Sequence, residues 1–161
     1  MKIVHVVFGA GTIGRALIDE LTSRGLQVRS VSRSRSAGLP YSVEKLVGDA
    51  SDTTFAIEAA RGAAATYQCM NPPYHKWAEL FPPLQRAVVA GAKAAGARYV
   101  SLENVYMYGD TKGVPITEQL PNAAHTRKGK VRAAMAEEMV AIFTKDEGKR
   151  ESKRERVPAA E

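Results

Sequence analysis

Short apolar runs alternate along this chain with longer stretches in which apolar positions recur every third or fourth residue, the pattern of strands taking turns with helices. The first run starts at Lys2 and ends in a glycine-rich turn, Gly9-x-Gly11-x-x-Gly14. From Thr12 to Ser23 the residues Ile13, Ala16, Leu17 and Leu21 fall on one face of a predicted helix, and Gly25 is a natural C-terminal stop. Leu26 to Ser32 reads as a second strand, residues 33–42 as a Ser-, Arg-, Gly- and Pro-rich loop, and Val43 to Val47 as a short third strand. Asp52 is placed to cap a helix over Thr53 to Arg61, which Gly62 closes. Ala63 to Met70 reads as the fourth strand, broken by Asn71-Pro72-Pro73. A turn or short helix around Trp77 then leads through Pro82-Pro83 into an Ala-rich helix ending near Gly96. Arg98 to Leu102 is the fifth strand, and Val131 to Phe143 the last helix. The alternation predicts an α/β fold, a doubly wound parallel sheet of Rossmann-like order 3-2-1-4-5 with helices on both faces.

The glycine turn carries the first chemistry. In a strand–turn–helix unit Gly9 makes the turn, Gly11 lets the backbone approach a pyrophosphate, and Gly14 lets helix and strand pack closely. The phosphates then rest on the N–H groups of the helix start, where Thr12, Ile13 and Arg15 lie. The six residues alone also occur as a plain turn of an α/β domain; the flanking strand and helix turn the reading toward a dinucleotide. An acid roughly 20 residues beyond the glycines would hydrogen-bond the ribose 2′-OH of NAD. None is there. Ser32 and Arg33 follow strand two instead, with Arg35 beyond them and Arg15 on the first helix. Guanidinium groups suit an extra 2′-phosphate because their planar fork donates two parallel bonds, so NADP(H) is the expected cofactor and NAD(H) the alternative. An exposed basic loop without a ligand is the plain reading of the same residues.

With 161 residues and 45% hydrophobic content the chain suffices for one domain, expected over 1–143 and followed by a charged tail, 144–161, that is a helical extension or disordered. It has no apolar run long enough for a membrane span, and its N-terminus enters a strand without the pattern of a signal peptide, so a cytoplasmic location is expected. The net charge of +6 invites a nucleic-acid reading. Yet residues 145–156 interleave six Lys/Arg with four Asp/Glu, and no aromatic follows Phe143, so nucleic acid is not an expected partner. The lone Cys69 forms no intrachain disulfide, and His5, His75 and His125 are spaced too far apart for a metal set.

Further motifs, taken in order, resemble the extended and atypical short-chain dehydrogenase/reductases, the NAD-dependent epimerase/dehydratase family. Gly48-Asp49-Ala50-Ser51-Asp52 looks like the family's Gly-Asp-x-x-Asp segment, which implies that Asp49 contacts the adenine, with Ala50 beside it. Cys69-Met-Asn-Pro-Pro-Tyr74 looks like the end of strand four along the nicotinamide half, which implies roles there for Asn71 and Pro72. Val105-Tyr-Met-Tyr-Gly-Asp110, Pro115-Ile-Thr-Glu118 and Pro121 resemble the family's Val-Tyr-Gly turn, Thr-Glu pair and proline. The likeness covers residues 1–143 and implies a dinucleotide, a sugar or small carbonyl substrate, and hydride transfer.

The family's catalytic positions are substituted. Asn104 stands where the resemblance implies Ser or Thr, and Lys128-Gly129-Lys130-Val131-Arg132 aligns with a Tyr-x-x-x-Lys segment. Lys128 thus takes the tyrosine's place and Arg132 the lysine's. An ammonium is no phenolate base, and a guanidinium stays charged. Asn104, Lys128 and Arg132 remain the candidates for polar roles toward substrate, with Tyr106, Tyr108 and His75 as alternative acid/base groups and a plain helix start as the bland reading. Family members also carry later strands and a substrate lobe that nothing after Phe143 resembles. The expectation is a Rossmann core without that lobe, whether a natural minimal protein, a truncated product or a designed fragment. Its fifth strand would be a sheet edge, which a homo-oligomer is one way of covering. A nucleotide-holding partner protein without turnover stays open beside the enzyme.

Overall fold

The computed structural model describes residues 3–34 and 38–154, the last ten of these by backbone alone; Arg35 and the end of the tail, residues 155–161, lie outside the described residues. The chain divides into two compact units, Met1–Glu103 and Asn104–Glu161.

In the first unit the run Val4–Phe8 forms β1, whose side chains alternate between two cores. Val6 and Phe8 pack with Val31, Ala56, Ala59 and Val88 on one side, while Val7 packs with Ile18, Leu21, Val28 and Val43 on the other. A strand buried on both faces has no polar alternation, which is why β1 reads as a continuous apolar run. After it come α1 (Thr12–Ser23), β2 (Gln27–Ser32), β3 (Glu44–Val47), α2 (Thr53–Ala60), β4 (Ala63–Gln68), a 3-10 turn (Tyr74–Lys76), α3 (Trp77–Ala95) and β5 (Arg98–Ser101). All pairings are parallel, in the order β3-β2-β1-β4-β5, so the sheet is the expected Rossmann-like one.

Three expectations within this unit change. α1 buries Gly14, Ile18 and Leu21, whereas Ile13 is 53% exposed and Ala16 faces outward. Gly14 sets that phase, because its Cα lies so close to Gly9 O that any side chain there would run into it. The strands end one or two residues early, β4 at Gln68 and β5 at Ser101, within the usual fraying of such boundaries. Pro82 and Pro83 do not separate two elements; α3 is one helix with both prolines inside it. Each proline lacks an amide donor and crowds the preceding turn, a cost of about 3 kcal/mol in a helix interior. α3 nevertheless keeps one long face, Trp77, Phe81, Gln85, Val88, Val89 and Ala92, fully buried, and burial of such side chains at about 1.5–3 kcal/mol each outweighs the loss.

α2 is short and held at both ends. Asp52 Oδ1 accepts from Thr54 N–H at 2.8 Å and Phe55 N–H at 3.2 Å, as its N-cap position predicted. At the other end the Arg29 guanidinium donates to Ala59 O at 2.8 Å and Arg61 O at 2.9 Å, while its Nε donates to Glu44 at 2.8 Å. One β2 side chain therefore ties β3 to the carbonyl end of α2.

In the second unit a 3-10 turn, Tyr106–Tyr108, precedes α4, Arg127–Arg154. This helix starts earlier and runs further than the expected Val131–Phe143. Thr126 is its missed cap: its hydroxyl accepts from Gly129 N–H at 3.0 Å, and its carbonyl accepts from Lys130 N–H at 2.9 Å. At the far end, Lys, Arg and Glu are good helix formers, which accounts for the helix running on through the charged stretch. No helix among the described residues is long and apolar enough to cross a membrane.

Candidate functional site

The C-terminal edge of the parallel sheet brings together the candidates of the first unit. Gly9 takes φ +101°, a conformation that favours glycine, and its N–H donates to Val31 O at 2.8 Å. A Cβ on Gly9 would come within 2.9 Å of Met70, so the turn is pressed against the end of β4. Gly11 differs: its φ of −75° suits any residue, and an added Cβ would meet nothing within 4 Å. The first bond of the α1 ladder is Arg15 N–H to Gly11 O at 2.9 Å, leaving the N–H groups of Thr12, Ile13 and Gly14 ahead of it. Thr12 and Ile13 are exposed at this edge. Gly11 thus opens onto free space ahead of the first N–H groups of α1, an arrangement that favours an anion at a helix start.

Beside this helix start, Ser32 closes β2. Its hydroxyl donates to Ser34 O at 2.7 Å and its carbonyl accepts Gly48 N–H at 3.1 Å, which braces the start of the following loop. Arg33 is exposed, and its charge acts on Asp49. Asp49 is exposed, Ala50 is buried, and the Asp49 carboxyl is held below the usual aspartate range. The cause is first the Ser51 N–H and hydroxyl, with Arg33 as a lesser contribution. Arg15 Nε donates to Ala10 O at 3.1 Å, and its Nη1 lies 3.7 Å from where a Cβ of Gly38 would stand. Arg15 thus spans from the glycine turn to the loop that follows β2.

At the end of β4, Cys69 N–H donates to Phe8 O at 2.8 Å, and burial pushes its thiol pKa up, which suits a structural rather than a reactive cysteine. Asn71 is exposed and Pro72 buried, with Pro72 O accepting the Trp77 indole N–H at 3.1 Å. Trp77 stacks edge-on with Tyr74 at 4.9 Å and Phe81 at 5.4 Å, so aromatic packing fixes this turn. His75 is exposed on the same turn. Among the described residues no group of His, Cys, Asp and Glu forms a metal set.

The second unit holds Asn104, Lys128 and Arg132. Asn104 Oδ1 accepts Tyr106 N–H at 3.1 Å, which spends one side-chain acceptor on opening the Tyr106–Tyr108 turn. Lys128 and Arg132 stand one turn apart on α4; Lys128 is half-buried and Arg132 is 1% exposed, its Nη1 3.9 Å from Met135 Sδ. Gly129, between them, lies so near the turn that a Cβ would come 2.5 Å from Tyr106 O. That close approach is a constraint the sequence reading passed over, although a glycine inside a helix start is its usual signal. Tyr106 is 43% exposed and Tyr108 half-buried.

Comparison with known proteins finds likeness in the fold: no family profile and no curated sequence matches the chain. A short-chain dehydrogenase/reductase superfamily protein from Agrobacterium tumefaciens, solved with bound NAD, is 25% identical, with a TM-score of 0.68 over 83% of this chain and 43% of its own. A uronate dehydrogenase from the same organism is 16% identical, with a TM-score of 0.76 over 89% of this chain and 57% of its own. A UDP-glucose 4-epimerase is 18% identical, with a TM-score of 0.69 over 89% of this chain and 48% of its own. The chain spans about half the length of these structures. Its structural neighbours are thus short-chain dehydrogenase/reductases of the NAD-dependent epimerase/dehydratase kind, and its first unit carries the five-stranded Rossmann sheet of that fold.

Proposed function

We propose that this chain binds NADP(H) along the C-terminal edge of its sheet. The observation that carries the reading is the contrast among the three glycines: Gly9 and Gly14 are closed in by protein, while Gly11 opens onto free space in front of the α1 N–H groups. The pyrophosphate would rest on Gly11, Thr12 and Ile13, the adenosine against Asp49 and Ala50, and the 2′-phosphate against Ser32 and Arg33 with Arg15 nearby. The nicotinamide half would run toward Asn71 and Pro72. The solved neighbour with bound NAD supports a nicotinamide dinucleotide; the preference for the phosphorylated form rests on Arg33 and Arg15 and on the lack of an acid after β2.

When bound, the nicotinamide supplies or takes up a hydride at the carbon of a sugar or small carbonyl compound. In that enzyme reading the polar candidates toward substrate are Asn104, through its amide nitrogen, and Lys128, whereas Arg132, 1% exposed, offers no open surface to a ligand. A second reading, a domain that holds the nucleotide without turnover or serves a partner, is favoured by one observation: neither Lys128 nor Arg132 can act as the phenolate base of the related enzymes. A homo-oligomer is compatible with both.

The test is fluorescence titration of the whole chain with NADPH and NADH, repeated on Gly11→Ala. In the free protein the added methyl meets nothing, and the cost is that of Ala at a helix N-cap, so thermal stability should fall by no more than about 1 kcal/mol. It would, however, stand where a pyrophosphate must come close, and affinity should fall by at least about tenfold. A folded Gly11→Ala protein with unchanged NADPH affinity rejects the site, and tighter NADH than NADPH in the unaltered chain rejects the cofactor choice.

A further inference from the structure

We draw no further inference here: the strongest candidate, the apolar surface patch at the β5 edge of the sheet, where Val100 and Leu102 are 40% and 42% exposed, carries nothing because nothing in the structure shows what covers it.

Discussion

Arg33 acts electrostatically on Asp49 and, in the proposed cofactor reading, on the 2′-phosphate. Arg33→Ala should cost NADPH about 1.5–3 kcal/mol of binding, the scale of a bond to a charged group, and leave NADH nearly unchanged. Equal loss for both nucleotides would make Arg33 structural. The same substitution should move the Asp49 carboxyl upward in an NMR titration, and Ser51→Ala should move it further, because the Ser51 bonds are the larger cause of its depression. The sign of the pH dependence follows. A carboxyl that titrates lower in the folded chain than in the unfolded one contributes its stability in full above the ordinary aspartate range, and that contribution is lost as pH falls through the folded value. An Asp49 carboxyl that stays put in both variants would sever it from Arg33 and Ser51.

At the scale of elements, α2 shows how a short helix is made secure. It has eight residues, too few for a stable isolated helix, and depends on its ends and on α3. Asp52→Ala removes the acceptor for two backbone N–H groups and should destabilise the chain by about 1 kcal/mol, or roughly 2–4 °C in melting temperature for a protein of this size. Differential scanning calorimetry checks it, and an unchanged melting temperature would mean that α2 does not depend on its cap. The contact between α2 and α3 was not legible in the same way. The sequence showed an Ala-rich helix, but not that Gly91 lies with its Cα against Ala56 O, where a Cβ would come within 2.6 Å. Helix periodicity marks a helix and its apolar residues; the depth of approach depends on the partner helix. The prolines of α3 make the same point, since local propensity argued for a break and burial of Trp77 and Phe81 overrode it.

For the whole molecule the testable property is turnover. A tyrosine-based enzyme shows a pH-dependent step tied to a phenol, and with Lys128 at that position such a step should be absent. NADPH binding with slow or absent oxidation across a panel of sugar nucleotides and simple ketones is the expected outcome, and the double change Lys128→Tyr with Arg132→Lys should restore little. Arg132 is also deeply buried, so its replacement disturbs α4 as well as chemistry. Robust turnover by the unaltered chain, lost in Lys128→Ala with NADPH affinity intact, would establish an enzyme with a different acid/base. Turnover lost in Tyr106→Phe or Tyr108→Phe would locate a displaced phenol instead.

The strands, the glycine turn and the Asp52 cap were determined by the sequence alone, because each depends on residues adjacent in the chain: an apolar run, three glycines at fixed spacing, a carboxylate before a helix; the strand order followed from the alternation of strand and helix. The phase of α1 and the single helix through Pro82-Pro83 were decided only in the tertiary structure, whereas the Thr126 cap of α4 and the two donors that Ser51 sets on Asp49 are local contacts that the hydrophobic pattern does not display. These depend on how closely one segment approaches another and on which atoms a turn brings within hydrogen-bond reach. Hydrophobic pattern carries the type of element and its apolar residues, but not the distance at which a side chain is stopped, and that distance is what closes Gly9 and Gly14 in and leaves Gly11 open.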